Sequence, residues 1–201
     1  MPTPSLADTM LQMTLNRQME AVGEVMRQQA LRKEREEWLA EKQRRLARLI
    51  DFEHDEMWIL KGFEKLKGCP LLGNGSCAQL PQVYGGLPMT KYWKAGPKIH
   101  GNAQIIPYGT AIATFVGGVY PNLPHGNHAA IFGGPWSGHH KGKLASGIII
   151  FDQWKDKESP DWRVVFYGDG VSDRSNDGAA FSVILTAKPM YPTGTRIPVR
   201  Y

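Results

Sequence analysis

Cysteine is scarce, with Cys69 and Cys77 the only two in 201 residues. Two thiols cannot form a disulfide scaffold, and the absence of a CxxC pair excludes a zinc ribbon. Long apolar runs are missing too; none approaches the ~18–20 residues of a membrane-spanning helix. The N-terminal stretch carries Glu20, Glu24 and Arg27 but no apolar core, so no Sec-type signal is visible. No internal repeat or low-complexity tract occurs. Against these absences, 42% hydrophobic and 21% charged residues describe an ordinary folded protein, not a disordered chain.

Glycine and proline are nearly absent from the first third. Only 2 of 22 glycines and 2 of 14 prolines precede residue 68. Charge divides at the same place. Residues 1–67 balance 12 Lys+Arg against 12 Asp+Glu, whereas residues 68–201 hold 12 against 7, so the net +5 lies wholly in the later part. This composition predicts two parts, a helical arm over 1–67 and a folded domain over 68–201.

In the arm, Leu11, Leu15, Met19, Val22 and Met26 recur at helical spacing. The stripe resumes at Leu39, Leu46, Ile50, Met57 and Leu60. Pro2 and Pro4 precede it, and Gly62 or Gly68 is placed to end it. Two helices and one helix bent near Gly23 fit equally well. The stripe suits either a docking arm or a helical layer on the chain's own domain. Acidic residues interleave the Lys and Arg here, which marks a solvated helix surface and not a nucleic-acid stripe.

The later part reads as α+β. GTAIATF (109–115), HAAIF (128–132), GIIIFDQW (147–154), WRVVFY (162–167) and AFSVILTA (180–187) are strands between Gly, Pro, Asn and Asp clusters. The intervals are too short for parallel crossovers, so an antiparallel sheet with a helix on one face is expected. If HAAIF and GIIIFDQW form a hairpin across a long loop 133–146, pairing Phe132 with Ile148 sets His128 opposite Asp152. Directly opposed side chains are close enough for an imidazole–carboxylate hydrogen bond. Cys77 follows the loop residues Asn74, Gly75 and Ser76, and a short helix over 77–84 would put it in the first turn. There the macrodipole lowers a thiol's pKa, and a nearby His128 would stabilise the thiolate further.

Cys77 at a helix start, then GTAIATF, GNHAAIF and GIIIFDQW, in that order, resemble the papain-like cell-wall amidases of the NlpC and CHAP type. More specifically, they are similar to the second family of type VI secretion amidase effectors and their domesticated eukaryotic relatives. The likeness covers about residues 70–170. It implies a papain-like antiparallel sheet with a nucleophile-bearing helix. It also implies a cysteine-dependent hydrolase acting on amide bonds in the peptide stems or crosslinks of peptidoglycan. Cys77 would be the nucleophile, His128 the base and acid, Asp152 the group that orients the imidazole, and the Cys77 N–H part of the oxyanion hole. Partners implied are stem peptides, a cognate immunity protein, and a secretion-machine component met through the N-terminal helices. Such a protein is made in the cytoplasm and acts in the periplasm or cell wall of a target cell. Pro81, four residues after Cys77, departs from a regular helix start and requires an irregular one.

Alternatives stay open at this level. Cys69 and Cys77 could pair, which would block the site, and His139 or His140 could be the third group. His125, His128, His139 and His140 lack a metal-ligand spacing, so no metal or cofactor is expected. Trp93, Trp136, Trp154 and Tyr120 either line a groove or fill the core. A phage-tail component or a catalytically silent cell-wall-binding module would carry the same fold. For any of these, Lys and Arg in excess beside a cleft suit a carboxylate-rich polymer such as peptidoglycan.

Overall fold

The computed structural model describes residues 6–168 and 173–188; Pro2 and Pro4 lie outside them. One helix, α1 (Leu6–Ala47), fills most of the first third and runs through Gly23 without interruption. Strong helix formers sustain it over 42 residues. Pairs such as Glu24–Arg27 at 2.8 Å and Glu41–Arg44 at 3.1 Å lie on its surface. Both are more than half exposed, so each adds only a few tenths of a kcal/mol. Leu11, Leu15, Met19, Val22 and Met26 are all exposed. The helical stripe ends earlier than its spacing suggests, because the Asp51 carboxylate accepts from the Glu53 N–H and meets His54 Nδ1, closing a turn. Met57 and Leu60 beyond it are not helical.

The chain divides into two compact units, Met1–Arg45 and Leu46–Tyr201. The second unit is built on seven antiparallel strands: β1 (Asp55–Met57), β2 (Lys94–Lys98), β3 (Ala111–Thr114), β4 (Ala129–His140), β5 (Lys143–Asp152), β6 (Asp161–Phe166) and β7 (Phe181–Ala187). Their order is β1-β7-β3-β4-β5-β6, with β2 also paired to β7. β1, which precedes Gly68, thus shares a sheet with the strands that follow it.

Alternation along the strands sorts the core onto two faces. Ala111, Ala113, Ala129, Ile131, Phe151 and Ile184 join Leu60, Phe63, Leu80, Leu87 and Trp93 on one side. Ile112, Ala130, Phe132, Ile148, Ile150, Phe181 and Val183 join Leu46, Ile50 and Ile99 on the other. β3, β4, β5 and β7 therefore read as near-continuous apolar runs, as strands covered on both faces do.

Residues 133–146, expected as a long loop, are instead a β4–β5 ribbon closed by the two-residue turn Lys141–Gly142. Both turn residues have positive φ, 50° and 77°, the backbone that continues strand twist through a tight hairpin. Gly134, at φ 126°, carries a bulge that shifts the register. Between the bulge and the start of β4, Phe132 pairs with Ile150, not Ile148, and Ile131 with Phe151. Continuing one step sets Ala130, not His128, opposite Asp152. The difference is two residues, so His128 and Asp152 keep the same face as diagonal neighbours.

Candidate active site

At one end of β4 and β5 the predicted residues converge. His128 immediately precedes β4 and is held through its backbone: its N–H donates to Thr114 Oγ1 and its carbonyl accepts from the Thr114 N–H, both at 2.9 Å. Thr114, the last residue of β3, gives the segment GTAIATF its role here. Nε2 of His128 meets Asp152 Oδ2 at 2.7 Å, with both side chains buried. That leaves Nδ1 as the ring nitrogen able to take a thiol proton, and both Cys77 and His128 line the same cleft.

Cys77 itself lies in a turn, ahead of the helical turn Leu80–Tyr84, a short π-type segment with Pro81 in its first turn. The expectation of a thiol in the first turn of a regular helix is therefore corrected. Pro81 has no N–H to donate, and so short a segment has little macrodipole to offer. The turn is fixed from β5 instead. Gln153, fully buried, accepts from the Leu72 N–H and donates to the Leu72 and Ser76 carbonyls, each at 3.0 Å. The Ser76 N–H is capped by Asn74 Oδ1 at 3.0 Å. Asp152, Gln153 and Trp154 thus do three different things: one binds the imidazole, one ties down the cysteine loop, and one packs its ring 6.2 Å from that of His128.

The thiol is acidified by tertiary partners. Burial alone pushes Cys77 up. The hydrogen bond and charge of His128, then the Tyr120 hydroxyl and the Ala129 N–H, outweigh this and bring it from 9.0 down to about 7. Tyr120 Oη lies 3.5 Å from Sγ and accepts from Asn127 Nδ2 at 3.0 Å, so its own hydrogen is free to point at sulfur. Burial pushes His128 down, but hydrogen bonds to Asp152 and Cys77 reverse this and raise it to about 9. Asp152 would be raised by burial, yet His128, Arg163 and Lys157 hold it well below the usual carboxylate range. Lys157 Nζ reaches Asp152 Oδ1 at 2.8 Å, and Arg163 Nε reaches Oδ2 at 2.7 Å.

Cys77, Tyr120, His128 and Arg163 line a cleft of about 860 Å³, together with residues 122–127, Trp154, Asp173 and Asn176, while Asp152 lies buried behind His128. Of the four aromatics singled out in the sequence, Tyr120 and Trp154 line it. Trp93 is buried, with its indole N–H donating to the Pro88 carbonyl at 2.9 Å. Trp136 lines a separate hollow of about 320 Å³ with Tyr167. Cys69 and Cys77 are both free thiols. His139 and His140 pair with Leu144 and Lys143 at the turn end of the ribbon, the opposite end of β4 from His128. Among the described residues, Asp51, Glu53 and His54 bring ligating atoms within 4.8 Å of one another. All three are exposed and none lines the cleft.

Sequence patterns had not singled out Thr114, Gln153, Lys157 or Arg163. Thr114 and Gln153 carried a local hint, as parts of the GTAIATF and DQW segments.

Comparison with known proteins bears on what this arrangement is. The family model for domesticated amidase effector 2 matches residues 55–184, which include Cys77, His128 and Asp152. A "Type VI secretion amidase effector 2 protein" of Salmonella typhi is 44% identical over 100 residues, covering 49% of this chain and 68% of the relative. A solved structure of "Type 6 secretion amidase effector 2" aligns with a TM-score of 0.54 at 31% identity, over 67% of this chain and 99% of that one. No helix among the described residues is long and apolar enough to cross a membrane. The family match spans more than half of the chain and runs from β1 into β7, so this chain belongs to the type VI secretion amidase effector 2 family and its domesticated relatives.

Proposed function

We propose that the chain is a cysteine-dependent amidase that hydrolyses amide bonds in the peptide stems or crosslinks of bacterial peptidoglycan, with Cys77, His128 and Asp152 as its catalytic residues. The observation that carries this is an acidified thiol and a raised imidazole on one cleft, with a buried carboxylate bonded to the imidazole behind it. The chain order of cysteine, then histidine before one strand, then aspartate ending the next, supports a papain-like assignment.

The chemistry follows from the charges. With Cys77 at about 7 and His128 at about 9, the thiolate–imidazolium pair is the populated form between those values. Sulfur attacks the amide carbonyl carbon, a C–S bond forms, and the π electrons move to oxygen. The Cys77 N–H would contribute to the oxyanion hole. His128 then gives its proton to the departing nitrogen as the C–N bond breaks, leaving a thioester. Water, deprotonated by the now neutral His128, attacks the thioester, and sulfur leaves as the thiolate. Asp152 stays ionised throughout, fixing the tautomer.

As an effector of this kind, the protein would act in the cell wall of a target cell and meet a cognate immunity protein. The domain over 68–201 would carry the chemistry. The helical arm, whose stripe is exposed from Leu11 to Met26, would be the segment that engages a secretion-machine component.

Digestion of purified sacculi tests the function. Wild type is expected to release muropeptides whose masses identify the bond cut, while Cys77→Ala and His128→Ala release none. Absence of product from wild type, or equal product from Cys77→Ala, refutes the assignment.

A further inference from the structure

We propose that Arg163 is a positioning residue: a single guanidinium that sets the acidity of His128 through Asp152 and also anchors the cleft wall at Ser175 and Asn176. For its chemistry this rests on the Cys77–His128–Asp152 assignment above.

Arg163 is the strand partner of Ile150, so its side chain leaves the sheet on the same face as Asp152, two residues further along β5. Its Nε donates to Asp152 Oδ2 at 2.7 Å, the same oxygen that meets His128 Nε2 at 2.7 Å. Nη1 donates to Asn176 Oδ1 at 2.9 Å, and Nη2 to the Ser175 carbonyl at 3.1 Å. All three arms of the fork are used, which a lysine could not reproduce. Asn176 in turn donates to Asp173 Oδ2, and Asp173 Oδ1 accepts from the Ser175 N–H and hydroxyl, so the wall is knit to Arg163 on both sides. Both Arg163 and Asn176 line the cleft.

Two consequences follow. Asp152 Oδ2 divides its lone pairs between two donors, and the guanidinium charge opposes a second positive charge on the imidazole. Arg163 therefore loosens the hold of Asp152 on the imidazolium and keeps His128 able to release its proton to a leaving amine. Its other two nitrogens hold residues 173–177 in place. The charged and titratable groups around His128 are Cys77, Tyr120, Asp152, Lys157, Arg163 and Asp173. Among these cations only Arg163 shares the oxygen that His128 uses, since Lys157 takes Oδ1.

The test uses the full chain and needs no substrate. Ring NMR titration of His128 is compared in wild type, Arg163→Met, Arg163→Lys and Asn176→Ala, with amide hydrogen exchange followed over 173–180. Arg163→Met is expected to raise the His128 pKa by about one pH unit, the effect of removing one nearby charge from a partly screened site. Arg163→Lys, which keeps the charge, holds the pKa near wild type, yet exchange over 173–180 speeds up in both. Asn176→Ala speeds exchange without moving the titration. A His128 pKa that is unchanged or lowered in Arg163→Met, or wall exchange that stays at the wild-type rate in Arg163→Lys, overturns the proposal. If Arg163→Met does not fold, the other two variants decide. Should these shifts appear while wild type releases no muropeptides, the amidase assignment falls and the clamp stands.

Discussion

Replacing Gln153 by leucine removes the tie between β5 and the cysteine loop, and its cost can be worked from the contacts. The side-chain amide is fully buried and makes three hydrogen bonds of 3.0 Å, leaving the Leu72 N–H and the Leu72 and Ser76 carbonyls without partners when it is lost. Each orphaned group costs ~1 kcal/mol, at the low end of the range because Leu72 and Ser76 are only partly buried and water reaches them. The expected loss is about 2–3 kcal/mol, read as a lowered urea midpoint with an unchanged slope. Activity should fall further than stability at this site, since displacement of a nucleophile by about 1 Å costs ~100-fold. Sacculus digestion below the urea transition measures it. Gln153→Glu separates the donors from the acceptor. It can still accept from the Leu72 N–H but sets a carboxylate against two carbonyls, so its folded pKa must rise. Its penalty relative to wild type should therefore grow as pH increases from 4 to 7, where Leu shows no such trend. If Gln153→Leu unfolds at the wild-type midpoint and digests sacculi at the wild-type rate, the loop is held by something else.

Four further outcomes are expected. The pH profile of kcat/KM should be a bell, rising through about 7 as Cys77 ionises and falling through about 9 as His128 loses its proton, measured on soluble muropeptides. His128, raised above 6.5, and Cys77, lowered from 9.0, change the folded state's proton count in opposite senses between about 7 and about 9, so wild-type thermal melts should be nearly flat there, whereas Cys77→Ala, which removes the offset, should lose stability as pH rises above 6.5. Asp152→Asn leaves Lys157 and Arg163 facing a neutral amide in a buried site, so a destabilisation of ~3 kcal/mol should accompany a residual rate of ~10⁻³–10⁻⁴ of wild type; denaturant melts that match wild type would contradict the role of the two cations. Tyr120→Phe removes a donor to sulfur and should raise the thiol pKa, slowing iodoacetamide alkylation of Cys77 near pH 6.5 by a few-fold while alkylation at pH 9 is little changed.

The meeting of His128 with Asp152 was legible in the sequence because side-chain parity in a sheet tolerates an even error. Pairing Phe132 with Ile148 missed the observed partner, Ile150, by two residues, and a shift of two returns His128 and Asp152 to a common face. A shift of one would have turned them to opposite sides of the sheet. What set the register was Gly134, whose bulge looks in a sequence like any glycine-rich loop. Of the two reasons the sequence offered for an acidic Cys77, the His128 partner holds and the helix dipole does not. Pro81 prevents the regular helix whose dipole would have acted locally, so the thiol is acidified by His128, Tyr120 and Ala129, at least 43 positions away. Gln153 bonds to residues 77 and 81 positions earlier, and Arg163 to residues 11 and 13 away across a sheet edge and a loop. No period or spacing encodes such pairs, because they exist only once β5 has found both β4 and β6. The pairing of His128 with Asp152 is therefore readable from residue type and strand pattern, whereas the groups that hold and tune Cys77, His128 and Asp152 become readable only from the closed sheet.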